Sequence, residues 1–282
     1  MQGTDRPRLY KADGVVLKQM PLGEADRLLT IHTDALGKLR AVARGVRRPR
    51  SRLAGHLEPL THVRLLVARG RNLDVVTGAE TLRGFPRLRD DLGSIARGLV
   101  CAELVDAFTV EGQPNQPLLD LLVETLARLE EGAGDSLLWH YVFHVLRLTG
   151  FMPELHNCVV CGKEVLPDRH SFSPGLGGVV CAECVRAGMP GVQPTGAGAP
   201  VLPLSLSAIK VLRHFRDHSY DAVEGLRLGF DLLRELERLL GGYVRYLLER
   251  ALKSSAFLAR LDRLSRDSVA RGPQAPARPR VS

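Results

Sequence analysis

The stretch ADGVVLKQMPLGEADRLLTIHT, residues 12–33, decides how the first part of the chain folds. It contains two apolar segments, 12–20 and 26–33, on either side of the turn-forming Gly23. Short segments in which apolar residues alternate with polar ones are typical of half-buried β-strands. The stretch therefore predicts two neighbouring strands joined by a short turn.

Three more segments of the same kind follow. They span residues 38–44, 62–70 and 72–80, and turn residues such as Gly70 separate them. Five short strands with turns between them are typical of a small closed β-barrel. We therefore predict an all-β domain over residues 1–84.

A loop between the third and fourth predicted strands carries a dense cluster of positive charge. The segment ARGVRRPRSR, residues 43–52, holds five arginines and no acidic residue, and Lys38 and Arg40 lie just before it. A charge run is usually a solvated surface, but a loop of roughly 15 residues in a compact domain is usually functional or mobile. We interpret the cluster as a binding site. Its candidate residues are Lys38, Arg40, Arg44, Arg47, Arg48, Arg50 and Arg52.

The distribution of charge indicates the kind of partner. Residues 1–80 contain 15 Lys and Arg against 8 Asp and Glu, and so carry most of the formal net charge of +8 of the 282-residue chain. Most of these cations are arginines, which suit bidentate binding of phosphate, so a nucleic-acid backbone is the expected polyanion. An acidic membrane surface is the alternative, but no amphipathic helix or transmembrane stretch accompanies the cluster. The N-terminus lacks the apolar segment of a secretory signal.

The chain changes character after residue 84. Segments with helical periodicity span residues 94–108, 117–131, 135–150, 204–217 and 230–250. The segment 135–150 is apolar nearly all round, as expected of the central helix of a bundle. This helix should be capped by Asp135 or Ser136 and should end at Gly150. The segment 94–108 should form an amphipathic helix, whose one apolar face consists of Ile95, Leu99, Ala102, Val105 and Phe108.

An insertion between the third and fourth predicted helices contains four of the five cysteines. Cys158 and Cys161 form one C-x2-C pair, and Cys181 and Cys184 form a second pair after a 19-residue spacer. This spacing is typical of a four-thiolate zinc site. Disulfides are rare in the reducing compartment that we expect, and a thioredoxin-like dithiol needs a βαβ context that is absent. Four thiolates close the coordination shell, so we expect one structural Zn²⁺ per chain.

Other candidate chemistry is weaker. His140 and His144 are spaced i, i+4, but Tyr141 stands where a metalloprotease motif has its Glu, so we expect a buried histidine pair. Cys101 lies on the apolar side of a helix and is expected to be a buried, inert thiol. His156 could replace a cysteine ligand, but four cysteines suffice. Phosphate-binding loops, nucleophile elbows and paired carboxylates are not found, so we do not expect an enzyme.

The order of these features resembles the RecO family of bacterial recombination mediators. The resemblance covers roughly residues 9–261 and extends to local motifs. These motifs include GVVLKQMPLGEADRLLTIHT, GKLRAVARGVRRPRSRL, LTGFMPELHNCVVCG and YLLERALKSSAFL. The resemblance implies an α+β multidomain protein, in which an N-terminal five-stranded OB-fold barrel precedes an all-helical domain with an inserted four-cysteine zinc knuckle or ribbon.

The resemblance also implies domain boundaries and partners. The domains would be an OB-fold at 1–84, helical parts at 85–155 and 189–262, and a zinc-binding insert at 156–188. The tail at 263–282 goes beyond the family pattern, and its Pro, Gly and Arg content predicts a disordered basic segment. The protein would bind single- and double-stranded DNA, anneal complementary strands, dock the C-terminal tail of single-stranded-DNA-binding protein (SSB) on its helical domain, and help RecR to load RecA. It would be cytoplasmic and associated with the nucleoid.

The same resemblance assigns DNA binding to the seven basic residues from Lys38 to Arg52 and zinc binding to the four paired cysteines. Arg27, in the motif GEADR, either belongs to this function or forms a structural ion pair with Glu24 or Asp26.

The barrel segment is poor in aromatic residues. Tyr10 is the only one before Phe85, whereas single-strand binders typically stack bases on aromatic side chains. We therefore expect binding mainly to phosphates, which distinguishes single from double strands poorly.

Three other functions fit parts of the pattern. A zinc-finger DNA glycosylase is one, but Gln2 and Gly3 stand where that family has its catalytic Pro-Glu. An RNA- or ribosome-associated binding protein is the second, and competition between RNA and DNA would separate it. A pure interaction scaffold is the third, and it would show no DNA affinity at low salt.

Overall fold

The computed structural model describes residues 8–165, 170–188, 200–258 and 260–261. The predicted basic tail at 263–282 lies outside these residues. None of the helices in the described ranges combines the length and the apolar composition that a bilayer span requires.

The first five strands close into a barrel. They are β1 (Leu9–Leu22), β2 (Asp26–Thr33), β3 (Gly37–Ala43), β4 (His62–Ala68) and β5 (Asp74–Arg83). Their order is β1-β2-β3-β5-β4, and β4 pairs back to β1. Only the pairing of β3 with β5 is parallel within this barrel. This is an OB-fold barrel, so the predictions of five strands and of an N-terminal OB-fold are confirmed.

β1 contributes to two hydrophobic cores. Val16 points into the barrel, where it packs in one cluster with Leu29 and Ile31. Its neighbours Val15 and Leu17 belong instead to a second, larger cluster that they share with the helices. Successive side chains of a strand point to opposite faces, and the register shifts between Val16 and Lys18. The barrel and the helical domain therefore share one strand.

The second part of the chain is helical, as predicted. Its helices are α1 (Pro86–Asp90), α2 (Leu92–Phe108), α3 (Gln116–Glu130), α4 (Asp135–Leu148), α5 (Ala182–Arg186), α6 (Leu206–Asp217), α7 (Tyr220–Glu224), α8 (Phe230–Leu236) and α9 (Gly242–Leu248). A π-helical turn, Glu237–Gly241, joins α8 to α9, so the last predicted helix is interrupted. The short helices α1, α5 and α7 have too few residues for a periodic signal and were not predicted.

Two details predicted for the helices are wrong. α2 does not bury a single face, because α1, α3, α4 and β1 surround it and bury residues on most of its sides, Ala96, Gly98 and Val100 among them. Neither Asp135 nor Ser136 caps α4, whose N-cap is Gly134. Asp135 instead accepts a hydrogen bond of 2.6 Å from Arg97 Nη2 on α2. The predicted end at Gly150 is confirmed by its positive φ of 86° after the last helical turn.

The cysteine-containing insertion carries a small sheet. Its strands are β6 (His170–Ser173), β7 (Gly178–Val180) and β8 (Leu202–Leu204), in the order β7-β6-β8. β8 lies directly before α6 in the chain. Hydrogen bonds between β6 and β8 therefore attach the insertion to the second helical part.

His140 and His144 form a buried pair on α4, as predicted. They are 2% and 7% exposed, and their ring centroids are 4.2 Å apart. Nε2 of His140 lies 3.1 Å from the carbonyl oxygen of His218, and Nε2 of His144 lies 2.8 Å from that of Phe215. Burial lowers the pKa of both histidines, and the adjacent His144 helps to lower the pKa of His140 to about 4.

Acid should therefore destabilise the fold between about pH 6.5 and pH 4. In this window the unfolded chain binds a proton at His140 and the folded chain does not, so the free energy of unfolding falls as the pH falls. His140 alone should account for a loss of roughly 3 kcal/mol by pH 4. Urea unfolding at several pH values measures this dependence. His140→Gln keeps a donor for the His218 carbonyl but cannot titrate, so equal pH dependence in this variant and the wild type would contradict the assignment.

Candidate nucleic-acid interface and metal centre

The basic segment connects β3 to β4 over residues 44–61, and we call residues 44–52 the arginine loop. The connection is anchored in the barrel core by Val46 and Leu57, which are 1% and 0% exposed. Its backbone is tied to the turn between β1 and β2, because Arg47 N donates to Ala25 O at 2.9 Å and Gly45 N donates to Asp26 Oδ1 at 2.7 Å. Buried anchors and backbone hydrogen bonds give the loop a defined path.

The five arginines of the loop, Arg44, Arg47, Arg48, Arg50 and Arg52, are all exposed. No ion pair joins any of them to an acidic group of the described residues. The guanidinium of Arg47 lies at the turn between β1 and β2, where Nη1 is 3.4 Å from Gly23 O. The loop therefore presents five adjacent cations whose charge is not balanced by carboxylates at contact distance.

Lys38 and Arg40 lie apart from these arginines. Lys38 Nζ donates to Asp106 O at 2.7 Å and is 3.4 Å from Asp106 Oδ1, at the C-terminal end of α2. Arg40 Nη1 is 3.8 Å from Glu111 Oε1, and Lys18 Nζ is 2.5 Å from Asp106 Oδ2. These pairs link the barrel to the helical domain. The sequence reasoning missed them because the partners lie 68 or more residues apart along the chain.

Arg27 has a structural partner, but not one of the two predicted. Its Nη1 lies 3.0 Å from Glu58 Oε1 and donates to Gln19 Oε1 at 2.5 Å. Asp26, one of the predicted partners, accepts instead from the backbone of Gly45. Arg27 thus ties β2 to the end of the connection between β3 and β4.

Tyr10 is also engaged within the barrel. Its hydroxyl donates to Asp74, and the guanidinium of Arg69 lies 4.9 Å from its ring centroid. Tyr10, the only aromatic residue before Phe85, therefore packs against Asp74 and Arg69 of the barrel itself.

The two C-x2-C pairs converge, as the spacing predicts. The four sulfur atoms of Cys158, Cys161, Cys181 and Cys184 all lie within 4.8 Å of one another. Cys158 Sγ is 3.9 Å from Cys184 Sγ, and Cys161 Sγ is 3.8 Å from Cys181 Sγ. A tetrahedron with metal–sulfur bonds of about 2.3 Å has edges of about 3.8 Å. All four cysteines are free thiols rather than disulfides, so the cluster fits a metal ion.

Backbone amides stabilise a thiolate in this cluster. Burial by itself would raise the pKa of Cys158, but N–H groups of Cys181, Cys161 and Val160 point at its sulfur and lower the pKa to about 6. Cys181 N donates to Cys158 Sγ at 3.3 Å. Amide donors of this kind hold a sulfur in the anionic form that a metal binds.

The first C-x2-C pair is positioned by the segment before it. The carboxylate of Glu154 accepts from the backbone of His156 at 2.6 Å and of Asn157 at 3.0 Å, and these bonds lower the pKa of Glu154. The backbone of Glu154 also forms an isolated β-bridge with Gly178 in β7. A Cβ at Gly178 would lie 2.7 Å from Glu154 O and 2.6 Å from Val159, so only glycine allows this approach.

The remaining candidates lie outside the cluster. Cys101 is 0% exposed on α2, and burial raises the pKa of its thiol, which confirms a buried thiol of low reactivity. His156 is not part of the group of converging ligand atoms. Its Nε2 is buried without a hydrogen-bond partner among the described residues.

Comparison with known proteins agrees with this architecture. The model of the recombination protein O N-terminal domain matches residues 8–85, and that of the recombination protein O C-terminal domain matches residues 89–256. A DNA repair protein RecO from Roseiflexus sp. (strain RS-1) is 39% identical, over 93% of this chain and 89% of the relative. Proteins of the same name from Desulforamulus reducens and Desulforudis audaxviator are 32% and 37% identical, over 94% and 89% of this chain and 98% and 97% of those relatives.

Replacing a cluster cysteine should release the metal and weaken the fold. We expect Cys158→Ser and Cys181→Ser to lose the one metal ion per chain and to unfold at lower temperature, because the binding energy at such sites is folding energy. Elemental analysis and thermal unfolding of reduced protein measure both effects. Cys101→Ala removes a thiol outside the cluster and should keep its metal. Full metal content in either serine variant would contradict the four-thiolate assignment.

Proposed function

This chain belongs to the recombination protein O family, and we propose that it is a mediator of DNA repair and homologous recombination that binds DNA through its barrel. The observation that carries the proposal is the arginine loop, with five exposed cations that lack acidic partners among the described residues. Phosphate contacts of this kind depend little on base sequence and can serve single and double strands alike.

The arginine loop would promote annealing by screening charge. Two complementary strands repel each other through their phosphates until base pairing and stacking take over. Arginine can bind two phosphate oxygens in parallel and keeps its charge at any physiological pH. Five such side chains on a fixed loop would lower the repulsion between two backbones held at one surface. This role requires no chemical step, so we propose a binding protein rather than an enzyme.

The helical domain and its insertion would serve assembly. We propose, as the resemblance of the sequence motifs implies, that the helical part docks the C-terminal tail of SSB and that the protein cooperates with RecR to load RecA onto SSB-coated single strands. On the same resemblance we propose a cytoplasmic protein that works at the nucleoid. We assign these partners to the chain as part of the proposal.

We propose Zn²⁺ as the metal of the four-cysteine cluster. Sulfur-only tetrahedral sites favour zinc, which has no redox chemistry of its own. Cys158, Cys161, Cys181 and Cys184 would hold it with a closed shell. The site would then hold the segment of the first C-x2-C pair against β7 and α5 within the insertion, and it would offer no position to a substrate.

Reversing two loop arginines should weaken DNA binding in a way that salt reveals. For Arg47→Glu/Arg48→Glu we expect the slope of log affinity against log salt concentration to fall by roughly 1.5 to 2, because two phosphate contacts are lost. The loss should not depend on DNA sequence. Fluorescence anisotropy with labelled oligonucleotides over a salt series measures the slope. Arg186→Glu/Arg227→Glu makes the same charge change at exposed sites outside the barrel and should leave the slope unchanged.

The same loop variant should also fail to anneal complementary strands, since strand repulsion is no longer screened. Its metal content should stay at one ion per chain. An unchanged salt slope would place the DNA site elsewhere on the protein. Normal annealing by a variant that has lost its DNA affinity would contradict the screening mechanism.

A further inference from the structure

The helical domain covers only part of the outer face of β1, β2 and β3. Cross-strand partners lie side by side on the same face, so the strand register sorts the outer side chains into rows. Val15, His32 and Lys38 form one such row. Val15 packs in the core shared with the helices, and His32 Nε2 lies 3.3 Å from Asn115 O before α3. Lys38 binds Asp106. This row lies under the helical domain.

The next row marks the edge of the covered area. It consists of Lys18, Thr30 and Arg40, which are opposite one another in the register. Lys18 Nζ is 2.5 Å from the carboxylate of Asp106, and Arg40 is 3.8 Å from that of Glu111. Both cations of the row are therefore paired with acidic groups of the helical domain.

Two further rows continue towards the turn between β1 and β2. They are Met20, Leu28 and Val42, then Leu22 and Asp26. Leu28 and Val42 are 8% and 9% exposed, whereas Met20 and Leu22 are 46% and 41% exposed. We call Met20 and Leu22 the apolar tip. It presents aliphatic side chains to solvent on the sheet face that OB-folds use to bind oligonucleotides.

Two cations of the arginine loop, Arg44 and Arg47, lie close to the end of the sheet that carries the apolar tip. Arg44 is exposed and directly follows Ala43, the last residue of β3, which pairs with Arg27 beside Asp26. The backbone of Arg47 is hydrogen-bonded to the turn that follows Leu22, at Ala25 O. Asp26, the acidic residue of the row, has its carboxylate directed to the backbone of Gly45. The surface therefore fits a ligand that combines negative charges with flat apolar groups, and an unpaired nucleic-acid strand has both.

We propose that Met20 and Leu22 contact the unpaired bases of a single strand whose phosphates are bound by the arginine loop. The proposal rests on the DNA binding proposed above and adds a second, uncharged component to it. Aliphatic and thioether side chains pack against base faces, as in proteins that insert Leu or Met between base steps. In a duplex such a contact requires unstacking and kinking at a cost in free energy, whereas unpaired bases are already accessible, so the contact gives single strands an advantage that phosphate binding does not supply.

Oligomers with and without bases test the proposal. The probes are an oligothymidylate and an abasic deoxyribose-phosphate oligomer of the same length and charge. The wild type should bind the oligothymidylate about tenfold more tightly at fixed salt. Met20→Thr/Leu22→Thr should lose most of this preference and keep the wild-type slope of log affinity against log salt. Leu9→Thr/Leu82→Thr replaces two other barrel leucines, 52% and 39% exposed, and should keep the preference.

Equal binding of both oligomers by the wild type would overturn the proposal, and so would an undiminished preference in Met20→Thr/Leu22→Thr. Both results leave the salt-dependent phosphate binding intact, so they would not contradict the proposed function. Failure of the wild type to bind either oligomer at low salt would contradict the proposed function and this inference together. Circular dichroism and thermal unfolding establish that the variants are folded.

Discussion

The structure depends on β1, a single strand that serves two hydrophobic cores. Val16 packs inside the barrel, and Val15 and Leu17 pack with the helices. Because neither core can form fully without this strand, the OB-fold barrel and the helical domain are fixed against each other. Leu60, in the connection before β4, and Phe85, just after β5, belong to the same core as Val15 and Leu17. They are 1% and 0% exposed.

Lys18 and the basic residues between positions 38 and 52 fall into two groups. Lys18, Lys38 and Arg40 lie near the helical domain and pair with Asp106 and Glu111. These ion pairs, of which Lys38–Asp106 is mostly buried and Arg40–Glu111 is half-exposed, add modest stability and fix orientation. The arginine loop, on the far side of the covered area, keeps its cations exposed. The basic residues between positions 38 and 52 therefore have two roles. Lys38 and Arg40 contact the helical domain, and the arginine loop forms a candidate phosphate-binding surface.

Local patterns explain why much of this could be predicted. Alternation in β1 and β2, helical periodicity in α3 and α4, and the C-x2-C spacing each involve residues close together in the chain. The wrong predictions about contacts concern partners distant in sequence. The burial of α2 depends on four elements that surround it, the partner of Arg27 is Glu58, and Asp135 binds Arg97 instead of capping α4. The separation of Lys38 from the loop arginines has the same origin, since Asp106 is 68 residues away.

Hydrogen–deuterium exchange of the full chain, with and without a saturating single-stranded oligonucleotide, tests the central claim most directly. The claim is that DNA meets the arginine loop and the neighbouring turn, while the cations near the helical domain stay paired within the protein. Backbone amides at residues 23–26 and 44–52 should then exchange more slowly in the complex, and those at 106–112 should not change. Protection at 106–112, with unchanged exchange in the arginine loop, would contradict the account.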